Sequence, residues 1–550
     1  KNFSVSYISS PEVAFLKGIS SAFKSSETKL VFRFLELNDV EPTTNQTYSS
    51  LLKNLSFIKS FASGILVPKS FIWPVDANYY LKPHTSLVSD GHKAGLEVFA
   101  SDFYNDFPLS YNYSQDPDNE ILYYINNGEF SVDGVLSDFP ATPSIARDCL
   151  SHMGRTAPDR ATFTIITKDG ASGDFPGATD SSYERAINDG ANFIDCSVQI
   201  SADRIPFCMP AINLANGSNV LQSTFNNLAD NVPELGGLGV YAFALNWSQI
   251  QTLTPVISNP YSASLLYRNP LYKNAGKFLT LADFLSLAKN SSSLSGVLIS
   301  IENSPYLTTE KKIPVESIVR DALNSSGYDK KVMIQSSDSS LLKNFKSTDY
   351  ELVYLVGTEI GDATPAAISD IKSFAHSVLV SKSSIISEYN SFLDSITAIG
   401  PKLQAANLSV YAKTFSNEFL SQAWDFFSDA TIEINNYVFT GINGIVTDFP
   451  RTAARYKKSR CYNSSDLMMP VKPGQLLQLA LQQAQPPALA PLRELTVDDV
   501  AEPPLPPANE ITPAQAPSEL AKKSGAQTLL RVGSVAVSWL SILGSSIFLM

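Results

Sequence analysis

The sequence predicts an α/β protein of tandem TIM-type (β/α)8 barrels, the first of them incomplete. Three observations predict it. The stretch Val132-Asp133-Gly134-Val135-Leu136-Ser137-Asp138-Phe139-Pro140 returns as Ile442-Asn443-Gly444-Ile445-Val446-Thr447-Asp448-Phe449-Pro450, at an offset of 310. Three further matches precede it in order: Leu96–Phe99 with 408–411 at 312, Ile65–Lys69 with 378–382 at 313, and Leu30-Val31 with Leu352-Val353 at 322. Ordered matches with slowly drifting offsets mean a tandem duplication with small loop gaps. Finally, between 160 and 461 eight short β-branched and aromatic runs alternate with helix-like stretches, the pattern of a (β/α)8 barrel.

Taken in order, residues 1–150 carry the first copy, which starts in its middle, near the partner of Ile334. They read as the C-terminal half of a first barrel. Half a closed barrel has open strand edges, and no leader pattern begins at Lys1. The expectation is therefore a chain shortened at its N-terminus. The second copy, 160–461, has strand-like runs at 164–167, 193–199, 297–302, 331–335, 352–355, 377–380, 408–412 and 444–447. Helix-like stretches include 182–191 and 315–325, and the long gap 203–295 after the second run reads as an inserted subdomain. The recurring aromatics (Phe99 with Tyr411, Phe103 with Phe415, Phe107 with Phe419) are expected in the core.

After Cys461 the composition changes. Eleven prolines fall between Pro470 and Pro517, among Ala, Gln and Glu, so 466–523 reads as a disordered, partly extended spacer. The last nineteen residues, 532–550, are mostly apolar and uncharged, and the small triple Ser524-Gly525-Ala526 precedes them. Small triple, short spacer and apolar tail form a GPI-attachment signal over 524–550, with Ser524 the candidate site. The rival is a tail-anchored helix, since nineteen residues just span a bilayer.

Bulk properties agree with a surface protein. Net charge is −12 and only 17% of residues are charged, which argues against nucleic acid. Ten Asn-x-Ser/Thr sequons occur, at Asn2, Asn45, Asn54, Asn112, Asn216, Asn246, Asn290, Asn324, Asn407 and Asn463, and favour a secreted chain. The four cysteines include no CxxC pair, which disfavours zinc. Four cysteines allow three disulfide connectivities. Cys196 and Cys208, close in sequence, are the favoured pair, leaving Cys149 and Cys461; the other reading is four buried thiols.

A (β/α)8 enzyme holds its chemistry at the C-terminal strand ends. Here those positions are Lys168, Asp195, Ser197, Glu302, Gln335 and Asp448. The segments Lys168-Asp169-Gly170, Pro176-Gly177-Ala178-Thr179 and Asp195-Cys196-Ser197 resemble the barrel entrance of the glycerophosphodiester phosphodiesterases, which read His-Arg-Gly, Pro-Glu-Asn-Thr and Glu-x-Asp there. Tandem repeat, Pro-rich stretch and C-terminal tail are similar to the plant members with GPI tails. The resemblance implies a barrel of that type. In the family two histidines act as acid and base, and carboxylates hold a divalent metal.

This sequence departs from that frame. Lys168 replaces the first histidine, Asp169 the arginine, Asp195 the glutamate and Ser197 the aspartate. The second histidine belongs in Phe207-Cys208-Met209-Pro210, which has none. Glu302 matches a retained metal ligand, while Ser304 stands where the family has lysine. A lysine binds an anion but shuttles protons poorly at neutral pH. Of the four histidines (His84, His92, His152, His376) only His376 lies in the second copy, before a strand and so at its wrong end. Asp195 and Glu302 are the candidate ligands for calcium or magnesium; the bland reading makes them polar residues of the barrel mouth. Asp138 and Asp448 read as braces of the last strand's loop. Two functions follow from the resemblance. One is a degenerate barrel binding at the outer face of the plasma membrane, in the apoplast, where cell-wall polysaccharide is the candidate partner. The other is a metal-dependent phosphodiesterase releasing glycerol 3-phosphate and an alcohol.

Overall fold

A computed structural model describes residues 5–23, 27–154 and 157–462. The spacer 466–523, the terminal signal 524–550 with Ser524, and sequons Asn2 and Asn463 lie outside the described residues. No helix among the described residues is long and apolar enough to cross a membrane.

The first repeat is a five-stranded parallel sheet: β1 (Tyr7–Ser10), β2 (Lys29–Arg33), β3 (Gly64–Pro68), β4 (Glu97–Phe103) and β5 (Gly134–Ser137), in that order. The second repeat has the parallel strands β6 (Thr164–Thr167), β7 (Phe193–Ile200), β8 (Gly296–Ile301), β9 (Lys331–Ser336), β10 (Glu351–Leu355), β11 (Ser377–Ser381), β12 (Ser409–Phe415) and β13 (Gly444–Thr447). Gly444 pairs with Thr164 and Ile166 with Phe193, so the sheet closes into a TIM-type barrel. Strands of such a barrel are covered on both faces, by the interior and by helices, and read as continuous apolar runs. Accordingly, every residue of β7 and of β8 is buried. Ile166, Phe193, Leu298, Met333, Val353 and Leu379 form an interior cluster, a packed layer rather than a channel.

Local chemistry sets the helices. Thr179 caps Asp180–Asp189 in a reciprocal box with Ser182, and Gly190 ends that helix at a φ of 96°, where a side chain would be strained. The stretch after β7 is irregular. Pro206–Cys208 runs antiparallel to the end of β7, a small hairpin joins Asp230–Val232 to Gly237–Gly239, and short 3₁₀ turns fill the rest. It shares one apolar core with the barrel's outer layer: Leu214 and Tyr241 cluster with Tyr183 and Phe284. Helix Leu281–Asn290 lies in that layer, so the irregular part ends before the helix rather than at 295.

The two repeats meet through a reciprocal seam. Asp116 caps helix Pro117–Ile125, and its Oδ2 accepts a 2.7 Å bond from Thr452 Oγ1. Asp429 caps the equivalent helix, Ala430–Phe439, and accepts from Thr142 Oγ1 at 2.7 Å. Asn105 Nδ2 donates to Thr142 Oγ1 and Phe427 O, while Asn417 Nδ2 donates to Thr452 Oγ1 and Ser114 O. Each repeat gives the bonds it receives, as in an isologous dimer interface. A disulfide joins Cys149 to Cys461, and a second joins Cys196 to Cys208. The aromatics meet the expectation in part: Phe103, Tyr411 and Phe415 are buried, Phe99 and Phe419 are half-buried, and Phe107 is 58% exposed because it lies beyond the end of β4 rather than over the sheet.

Candidate functional site

The C-terminal ends of the barrel strands surround a cavity of about 450 Å³, lined among others by Lys168, Asp169, Tyr261, Arg268, Lys382 and Asp448. β6 ends in Thr167, and the chain turns sharply through Asp169 and Gly170 at φ of 56° and 80°. A Cβ on Gly170 would lie 2.5 Å from Ser182 Oγ, so the turn admits only glycine there. Asp169 O accepts from Ala178 N at 2.9 Å and Ser182 Oγ at 3.1 Å, which ties the turn to the following loop and helix.

This turn holds a compact charge cluster. Lys168 Nζ pairs with Asp169 Oδ2, and Ser197 Oγ donates to Asp169 Oδ1 at 3.2 Å. Asp195 Oδ1 accepts from Thr167 Oγ1 at 2.6 Å and from Gly170 N at 3.2 Å. Burial, then the nearby Asp169 charge, pushes the Asp195 carboxyl up to about 7, against the pull of Lys168. Burial works to lower the Lys168 ammonium, but Asp169 and Asp195 outweigh it and raise it above the usual lysine range. About a third of the Lys168 side chain is open to solvent, which also favours the charged form. Lys168 is thus a fixed cation, with no lone pair to act as a base.

A second cluster was not foreseen. Arg268, from the irregular stretch after β7, reaches the mouth and is only 5% exposed. Its Nε donates to Glu418 Oε1 at 2.6 Å, Nη2 to Asp448 Oδ2 at 2.6 Å and Nη1 to Ser172 O at 3.1 Å. Ser172 Oγ donates to Asp448 Oδ1 at 3.0 Å. Asp448 therefore braces its loop, and does so through an arginine whose partners lie far away in sequence. Beside it, Lys382 Nζ donates to Glu433 Oε1 at 2.5 Å and to Ser421 O at 2.8 Å. Burial pushes Glu433 up to about 7 against the pull of Lys382. The recurrence of Lys69 at Lys382 was a sequence signal for this pair; nothing local marks Arg268.

Glu302 is exposed, with Ser300 Oγ 3.5 Å from its Oε1, and Gln335 Nε2 donates to Ser300 Oγ at 2.8 Å. Lys413, on β12, is lowered by burial and then raised in part by Glu302. His376 lies at the opposite end of the barrel, where Nδ1 accepts from Leu352 N at 2.9 Å. His84 and His92, in the first repeat, pair with Glu129 and Asp133. The sequon residues Asn45, Asn54, Asn112, Asn216, Asn246, Asn290, Asn324 and Asn407 are all exposed.

Divalent cations want several oxygen ligands, usually more than one of them a carboxylate. No group of three or more His, Cys, Asp or Glu side chains able to hold a metal occurs among the described residues. One Asp195 oxygen is already bonded to Thr167 and Gly170, Ser197 offers a hydroxyl where a carboxylate would serve, and the Lys168 ammonium adds positive charge. This donor set does not fit a resident divalent ion.

Residues 169–452 match the Glycerophosphoryl diester phosphodiesterase family. Over 562 residues the chain is 51% identical to "Glycerophosphodiester phosphodiesterase GDPDL3" of Arabidopsis thaliana, covering 100% of the chain and 74% of that relative. Identity to "Glycerophosphodiester phosphodiesterase GDPDL1" of the same plant is 50%, over 99% of the chain and 73% of the relative. Among solved structures, a putative glycerophosphoryl diester phosphodiesterase from Silicibacter pomeroyi DSS-3 aligns at 16% identity and a TM-score of 0.40, covering 54% of this chain and 94% of that one.

Proposed function

Because the chain belongs to the glycerophosphoryl diester phosphodiesterase family, we propose that its closed barrel is a catalytically degenerate member. It binds at the plant cell surface rather than hydrolysing, and acts in cell-wall organisation from a GPI anchor on the outer face of the plasma membrane. The observation that carries the first part is the Lys168–Asp169 ion pair beside Asp195. Hydrolysis of a phosphodiester needs a base to activate the nucleophile and an acid to protonate the leaving alkoxide. Lys168 is held protonated, and its charge is spent on two carboxylates. Asp195, with a carboxyl near 7, is poised to move a proton, but it is locked under Thr167 and Gly170. Lys168, Arg268 and Lys382 are each held by carboxylates of the barrel mouth, so their charge is already engaged before any phosphodiester arrives.

The test is turnover of glycerophosphocholine and glycerophosphoinositol by the full secreted protein with calcium or magnesium, beside Glu302→Ala. The degenerate reading expects no release of glycerol 3-phosphate above background from a protein shown to be folded. Turnover lost with Glu302→Ala would establish the alternative, a metal-dependent phosphodiesterase in this barrel. The anchor is tested separately, by release of the protein from membranes with a phosphatidylinositol-specific phospholipase C.

A further inference from the structure

The first repeat has a mouth of its own, built on the same frame as the barrel's but lined differently. Lys69 follows β3 as Lys382 follows β11, and it pairs with Glu120 at 2.7 Å as Lys382 pairs with Glu433. Around this pair lies a cavity of about 300 Å³, whose lining includes Trp73, Tyr79, Asp102, Tyr104 and Phe107. That is the lower end of the size of small-molecule sites. The rim is aromatic and open: Tyr79 is 50% exposed, Tyr104 38% and Phe107 58%.

Two lining residues hold strained backbone. Tyr79 has a φ of 65° and Asp102 of 73°, a region that disfavours bulky side chains. Such strain persists only where the surroundings enforce it, and it gathers at ligand sites. Here Tyr79 O accepts from Tyr111 N at 3.0 Å and Ser110 Oγ at 2.9 Å, while Tyr79 N donates to Asp76 O at 3.1 Å. The loop is thus pinned with its tyrosine at the rim, so little ordering remains to oppose binding.

The charges choose the ligand. Lys69 is the one cation among the described lining residues, and Glu120 already holds it; Asp102 adds a second carboxylate. The cleft is therefore net negative and repels a phosphodiester or a uronate. A ligand with flat C–H faces for the aromatic rim and neutral hydroxyls for the carboxylates suits it. We propose that the cleft between Trp73, Tyr79, Tyr104 and Phe107 binds a neutral pyranose saccharide, with Asp102 and Glu120 accepting its hydroxyl protons. This site is separate from the barrel mouth and stands whether or not that barrel turns over.

The experiment titrates the full chain by calorimetry with hexamers of β-1,4-linked glucose, xylose and mannose, and with oligogalacturonide and glycerol 3-phosphate as anionic probes. At least one neutral hexamer should bind. Tyr104→Ala with Phe107→Ala should weaken it about tenfold or more without moving the melting temperature, since both rings are exposed. Lys168→Ala, in the other mouth, should leave it unchanged. Failure of all three neutral hexamers at millimolar concentration, tighter binding of an anionic probe, or binding indifferent to the rim substitutions would each overturn the proposal.

Discussion

Lys382 Nζ lies 2.5 Å from Glu433 Oε1 across the barrel mouth, with the glutamate side chain only 1% exposed. One repeat earlier Lys69 and Glu120 make the same pair. The surroundings repeat as well. Lys382 sits over the ring of Phe415 and Lys69 over that of Phe103. Phe415 meets Tyr437 edge-on at 5.1 Å, and Phe103 meets Tyr124 at 5.0 Å. A unit kept while the two mouths diverged around it is part of the frame on which both mouths are built.

Breaking that pair from the lysine side should be costly in a pH-dependent way. Lys382→Met leaves Glu433 buried without its partner, which typically costs about 3–5 kcal/mol. The Glu433 carboxyl already stands near 7, and loss of the cation moves it higher. At pH 5 it is then neutral and the charge penalty disappears. Urea unfolding should show a loss of about 3 kcal/mol or more at pH 8 and a much smaller one at pH 5. Equal losses at both would sink this account.

Arg268 joins the irregular stretch after β7 to the barrel mouth through Glu418 and Asp448. Arg268→Ala would strand two buried carboxylates, a loss of about 3 kcal/mol or more. Arg268→Lys keeps the charge but not the fork that reaches both partners, so it should recover only part of the loss. Limited proteolysis of 255–275 should quicken in Arg268→Ala before any global unfolding. A loop as resistant as in the parent would contradict the bracing role.

The seam between the repeats carries Asp116, Asp118, Asp429 and Arg455. Burial pushes the Asp429 carboxyl up to about 6. Burial, then the Asp429 charge, raises Asp118, with Arg455 opposing. Raised carboxyls hold protons in the folded chain that the unfolded chain gives up near pH 4. Their stabilisation is complete below that pH and is lost as pH climbs through the folded value. Carboxylates lowered by their bonds, such as Glu41 and Glu351, act in the opposite sense and only at lower pH. Between pH 5 and pH 7.5 the melting temperature should therefore fall. Asp429→Asn, which keeps an oxygen for the helix cap and turns its amide toward Thr142 Oγ1, should remove about 1.4 kcal/mol of that fall.

The two disulfides should contribute unequally. Chain-entropy arguments assign about 3 kcal/mol to a short loop and 5 or more to a very long one. Cys149–Cys461 closes a separation of 312 residues and Cys196–Cys208 one of 12. Replacing the first pair by alanine should lower the urea midpoint more than replacing the second. The reverse order would place the stabilisation in the native contacts around Cys196.

Much of this was legible in the sequence because it is local. Strand positions follow from apolar runs a few residues long, and the observed β6 and β13 coincide with the runs at 164–167 and 444–447. The duplication is a matter of spelling, and the replacement of the family's histidine and arginine by Lys168 and Asp169 can be read from three letters. Only the tertiary structure decided the partners of buried charge. Which carboxylates claim Arg268, and which threonine answers Asp116 or Asp429, depend on chain segments that fold together from far apart. A buried charge must find a counter-charge wherever packing supplies one, and sequence distance places no limit on where that is. The aromatic rim of the first repeat belongs to the same class: Phe107 looks like core in the alignment of the two repeats and lies at the surface because of where β4 ends.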